Sequence, residues 1–203
     1  SPMMDVPLTT WLLFSGAAKH HRAEEIVTRL PSGEVHRYTY GDFAARTQQL
    51  MHALDSLGVE PGAAVATLAW NGYRHLEAYF AVPCAGRVLH TVNVRLSAAE
   101  VAFVMKDARD RVLLVEPDFL PLLEEVIGEL PDLQHVVVLG PDTAGTTIPG
   151  AVAYEDLIAP MPTEYDEPAL DERSAAGLCY TSGTTGSAKG VLATHRSTFL
   201  HAL

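Results

Sequence analysis

Between Ala63 and Leu139 the chain switches repeatedly between two hydrophobic periods, and this alternation limits the possible folds more than any other feature. The run Ala63-Ala64-Val65-Ala66-Thr67-Leu68-Ala69 is short and continuously apolar, as a strand buried on both faces must be. Val88 to Val92, Arg111 to Val115 and His135 to Leu139 repeat that character. Helical stretches separate them: Tyr73 to Ala85 with a kink expected at Pro83, a segment opened by the capping box Ser97 and Glu100, and Asp118 to Leu130. The order is βαβαβαβ, whose crossovers predict parallel strands joined by right-handed connections. The expected fold class is α/β, a layered, mostly parallel sheet with helices on both faces.

Upstream, Asp42 to Leu57 carries Phe43, Leu50, Met51, Leu54 and Leu57 on one helical stripe, closed by Gly58. Glu25 to Leu30 and Glu34 to Tyr38 flank Pro31-Ser32-Gly33, predicting a hairpin on the sheet edge. Downstream the periodicity dissolves into a proline-rich, acidic surface connection. Three segments result: an α/β subdomain over residues 1–140, the connection over 141–174, and a strand, a loop and the start of a helix over 175–203, in the same domain as the first.

Charge removes several functions. With 14 Lys and Arg against 25 Asp and Glu, the net charge is −11, the wrong sign for binding nucleic acid or an anionic membrane by bulk attraction. Any phosphate site must rely on local geometry. No apolar run approaches the roughly 18 residues of a spanning helix. Trp11-Leu12-Leu13-Phe14 is too short for a secretory leader, and a cytoplasmic protein is expected. Cys84 and Cys179 lie in apolar stretches and read as separate buried thiols. The nine histidines show no metal-ligand spacing, and Trp70, Tyr73, Tyr79 and Phe80 read as core.

The most informative stretch follows the strand Ala175 to Tyr180. Thr181, Ser182, Thr184, Thr185 and Ser187 supply hydroxyls around Gly183 and Gly186, and Lys189 closes the group. Glycines allow close backbone approach, so successive N–H groups can converge on an anion while the lysine adds a point charge. Such a loop at the carboxyl end of a strand, with Val191-Leu192-Ala193 and a helix from Thr194 beyond it, occupies the ligand position of open α/β sheets. A Gly-x-x-x-x-Gly-Lys-Ser/Thr nucleotide loop is disfavoured, because Ala188 precedes Lys189 and Gly190 follows it.

The string Ser182-Gly183-Thr184-Thr185-Gly186, then Lys189-Gly190 and His195, resembles the signature of the adenylate-forming superfamily, which contains acyl-CoA synthetases, luciferases and peptide-synthetase adenylation domains. Ala188 stands where that family usually has proline. The resemblance extends to Asn71, Glu77, Phe80, Gly86 and the run Val88 to Leu96, in the form typical of fatty-acyl-CoA ligases, with Val94 replacing a usual proline. Tyr38-Thr39-Tyr40 also matches.

The resemblance implies an AMP-forming acid–thiol ligase that uses ATP, Mg2+ and coenzyme A, with a fatty acid as substrate. It assigns Thr181, Ser182, Gly183, Thr184, Thr185, Gly186 and Lys189 to the β- and γ-phosphates, Lys189 to charge stabilisation and Thr181 to magnesium, and leaves His195 either ordering the loop or packing at the start of the helix. Alternatives are a non-catalytic nucleotide-binding module and an adenylation domain that serves a carrier protein. The resemblance also implies that the adenine, ribose and coenzyme A sites lie beyond residue 203. The chain then reads as an N-terminal part, inactive alone, whose uncovered apolar edge favours a homodimer.

Overall fold

A computed structural model describes residues 5–181 and 188–203. Helix α1 (Thr10–His20) leads into strands β1 (Glu25–Arg29) and β2 (Val35–Thr39), which pair antiparallel. They form a separate two-stranded sheet, whereas the sequence placed this hairpin on the edge of the main sheet. Helix α2 (Tyr40–Ser56) follows at once, opened by a capping box in which Thr39 and Asp42 satisfy each other's backbone N–H groups. Its buried face carries Phe43, Leu50, Met51 and Leu54, as the 3.6-residue period requires.

The main sheet begins with β3 (Ala64–Leu68), α3 (Tyr73–Cys84), β4 (Val88–Thr91), α4 (Ala98–Ala108) and β5 (Val112–Val115). Helix α3 runs through Pro83 to Cys84, and the Ser97–Glu100 capping box opens α4 as expected. The helix expected over 118–130 is divided: a 3-10 turn at Pro117–Phe119, α5 (Leu120–Val126) and a second turn at Ile127–Glu129. Pro117 and Pro121 account for the first break, since each lacks an N–H and fits only a first turn. Strand β6 (His135–Val138) completes the parallel core.

Seven strands lie in the order β7-β6-β5-β3-β4-β8-β9. Every neighbouring pair is parallel except the last. Val65, Leu89, Val112, Leu114 and Val137 face one cluster with α1, α2 and α3, while Ala66, Leu113, Val115, Val136 and Val138 face another with α4 and α5. A period of two with both faces covered makes each strand apolar throughout. The sheet is therefore mostly parallel with helices on both faces.

The stretch 141–174, expected to be a structureless surface connection, contributes β7 (Val152–Ala153) and α6 (Tyr154–Ile158). Strand β7 extends the sheet beside β6, and Tyr154 and Ile158 are fully buried against α2. A two-residue strand and a single-turn helix are too short for hydrophobic periodicity to register. Strands β8 (Ala175–Thr181) and β9 (Lys189–Thr194) form an antiparallel hairpin at the opposite edge, followed by α7 (His195–His201). The sequence anticipated β8 and α7 but not β9, so the loop joins two strands. Val191 and Leu192, on the edge strand, are exposed.

Candidate functional site

The antiparallel register of the hairpin sets Thr181 opposite Lys189 and Tyr180 opposite Gly190. Successive strand residues point to opposite faces, so Thr181 and Lys189 share one face and Tyr180 crosses Gly190 on the other. Thr181 and Lys189, both exposed, form the neck of the hydroxyl- and glycine-rich segment. Ser182, Gly183, Thr184, Thr185, Gly186 and Ser187 lie outside the described residues. The neck brings a hydroxyl and an ammonium group side by side at the carboxyl end of a strand, a pairing suited to an anionic oxygen cluster. The Thr181 hydroxyl is a hard oxygen donor of the kind magnesium accepts beside phosphate oxygens and water. Among the described residues no group of three or more His, Cys, Asp or Glu side chains could hold a metal ion by itself.

Below the neck, the Tyr180 hydroxyl donates to Asp107 Oδ2 at 2.6 Å, and its ring centroid is 5.2 Å from that of His90. Burial raises the Tyr180 pKa above its usual value, and hydrogen bonding to the Asp107 carboxylate adds to the rise. His90 Nδ1 lies 2.7 Å from Asp110 Oδ2, both side chains enclosed. Burial raises the Asp110 carboxyl pKa, opposed by its hydrogen bond with His90. His90 Nε2 and Asp110 Oδ1 have no partner among the described residues.

His195 is wholly buried, and its Nδ1 lies 2.9 Å from Thr10 Oγ1 at the start of α1. Its backbone N–H donates to Ser174 O, and burial lowers the imidazole pKa. Of the two roles open to His195, these contacts fit packing at a helix start, fastening α7 to α1; the loop it was expected to order lies outside the described residues. Glu172 reinforces that junction, accepting from Leu8 N–H at 2.7 Å and from Arg196 Nη1 at 2.7 Å.

Of the two cysteines, Cys84 is buried, its thiol pKa pushed up to about 12 by burial, whereas Cys179 is exposed. Cys179 lies on an apolar groove of about 240 Å³ lined also by Tyr79, Pro83, Leu89, Val191 and Ala193. Tyr79 is 48% exposed and Trp70 40%, so neither is core. Trp70 instead donates its indole N–H to Asp118 at 2.8 Å. Tyr73 is buried as expected.

The sequence reading gives His90 no metal role and assigns nothing to Asp107 or Asp110. The available signal is an imidazole within the otherwise mostly apolar strand stretch Val88-Leu89-His90-Thr91-Val92, since a buried ring nitrogen requires a partner.

No described helix is long and apolar enough to cross a membrane. Over all 203 residues the chain is 46% identical to a long-chain-fatty-acid–CoA ligase of Thermus thermophilus, and it is 43% identical to a medium-chain-fatty-acid–CoA ligase of Ectopseudomonas oleovorans. It covers 36% and 37% of those proteins, so the chain spans about a third of the length of the curated relatives it matches. Among solved structures, an anthranilate CoA ligase in complex with anthranoyl-AMP superposes with a TM-score of 0.82 at 27% identity, over 95% of this chain and 35% of that one. The hairpin neck, the parallel sheet behind it and these relatives agree with a match of residues 13–202 to the model of the AMP-binding enzymes, and the chain belongs to that family.

Proposed function

We propose that these residues form the triphosphate-gripping part of an AMP-forming acyl-CoA ligase acting on fatty acids. The observation that carries this reading is the pairing of Thr181 with Lys189 across the neck of the glycine and hydroxyl segment. It is supported by the extent of likeness to fatty-acid–CoA ligases.

In the first step a carboxylate oxygen of the acid forms a bond to the α-phosphorus of MgATP, and the bond to the pyrophosphate oxygen breaks. Acyl-AMP and pyrophosphate result. The protein's task is to hold the two reactants in line and to offset the charge that develops on the departing pyrophosphate. Lys189 supplies positive charge. The Thr181 hydroxyl, with those of Ser182, Thr184 and Thr185, would donate to the β- and γ-phosphates, and Gly183 and Gly186 would allow a close backbone approach. Thr181 would also offer an oxygen to the magnesium that accompanies ATP. In the second step the thiolate of coenzyme A attacks the acyl carbonyl carbon and AMP leaves.

The test is carboxylate-dependent exchange of labelled pyrophosphate into ATP by the full-length protein, with straight-chain acids of increasing length. Exchange that requires a fatty acid, followed by thioester formation when coenzyme A is added, is expected. Release of ADP and phosphate without any acid would overturn the reading.

A further inference from the structure

The hairpin that presents Thr181 and Lys189 outruns the sheet that supports it. Pairing between β4 and β8 covers Leu89 with Gly177, His90 with Leu178 and Thr91 with Cys179, and goes no further. Tyr180 and Thr181 therefore continue as a ribbon of two strands, paired with β9 alone. A two-stranded ribbon is marginal in water, so the direction of its tip must be set by something other than its own ladder.

Tyr180 meets that need. Its cross-strand partner is Gly190, where an added Cβ would lie 3.3 Å from Tyr180 Cζ and 3.1 Å from Leu178 Cδ1. The phenol ring thus lies across the bare backbone of β9, which accounts for glycine next to Lys189. The hydroxyl reaches Asp107 at 2.6 Å, in the last turn of α4, 73 residues earlier in the chain. The ring of His90, held by Asp110, also packs against the phenol ring, tilted by 51° with centroids 5.2 Å apart. A neutral phenol donating to a carboxylate is a strong, directional bond, and here it joins the projecting tip to the body of the sheet.

We propose that Tyr180, held by Asp107, is a positioning residue that fixes Thr181 and Lys189 for the triphosphate; this rests on the triphosphate reading of the neck. Tyr180 acts through its two neighbours in the ribbon, Thr181 along the chain and Lys189 across it. A residue that served stability alone would leave the affinity for nucleotide unchanged once the protein is folded.

The experiment titrates MgATP calorimetrically into the full-length protein and into Y180F, D107A, D107N and the double variant Y180F/D107A. Loss of one charge-assisted hydrogen bond at a partly exposed site is expected to raise the Kd for MgATP about fivefold in Y180F and in D107A. The double variant should lose no more than either single one, and D107N, whose amide oxygen still accepts, should recover most of the affinity lost in D107A. In exchange assays the KM for MgATP should rise while the KM for the carboxylic acid stays put. Wild-type affinity in Y180F, or additive losses in the double variant, would overturn the positioning role and leave the triphosphate reading standing. A wild-type protein that does not bind MgATP would overturn both.

Discussion

Arg46 on α2 and Glu77 on α3 meet inside the protein, with Nε 2.7 Å from Oε1 and the glutamate completely enclosed. Tyr154 donates to the second oxygen of Glu77 at 2.6 Å, and Arg46 also reaches Glu155 at 2.9 Å. Arg74 closes the group with a 2.7 Å contact to Glu155. Burial raises the Glu77 carboxyl pKa, against the pull of Arg46. Helix α6 is thereby bolted to α2 and α3 by charge as well as by packing.

Replacing one member of such a pair strands the other. Arg46→Ala is expected to cost about 3–5 kcal/mol, the scale for leaving a buried charge uncompensated. The deficit should shrink in acid, where Glu77 takes up a proton and no longer carries a charge to strand. Denaturant titration at neutral and acid pH measures it, and a loss below about 1 kcal/mol, as for a surface pair, would contradict the expectation.

Burial of Glu116 sets the sign of a pH dependence. Burial raises its pKa from 4.5 to about 7, partly opposed by Arg74. The folded state therefore binds this proton more tightly than the unfolded one. The favourable contribution is complete below 4.5 and is lost as pH rises through about 7. Glu116→Gln, which has no charge to desolvate, should be more stable than the parent above pH 7, and the advantage should fade as pH falls toward 4.5. Melting both proteins across that range checks the sign; a constant difference would refute it.

Lys189 is exposed on β9, so its removal should change chemistry without disturbing packing. In the full-length protein Lys189→Ala is expected to slow pyrophosphate exchange by about 10²–10³, the scale for loss of one preorganised electrostatic contact, with an unaltered thermal midpoint. Undiminished exchange would remove the lysine from its assigned role.

Much of the core was readable in advance because local pattern and tertiary environment agree there. Val112 to Val115 are apolar at every position, and the strand is covered on both faces. Ser97 and Glu100 form the cap that their spacing implies. Tyr154 and Glu155 were unreadable because a single helical turn in a proline-rich, acidic stretch has no periodicity. Their place follows from Glu77 and Arg46, far away in sequence. Cys179 misled for a similar reason: an apolar neighbourhood in sequence does not show which face of a strand lacks a covering layer.

At the candidate site the division is equally physical. Residue types and spacing alone determined that a strand ends in hydroxyls, glycines and a lysine, because these are chemical identities carried by consecutive positions. Tertiary structure alone decided that Thr181 faces Lys189, that Tyr180 crosses Gly190 to reach Asp107, and that His195 answers to Thr10. Each of these depends on strand register or on the packing of distant elements. Both are set by the summed burial of the whole sheet, which no local window of sequence contains.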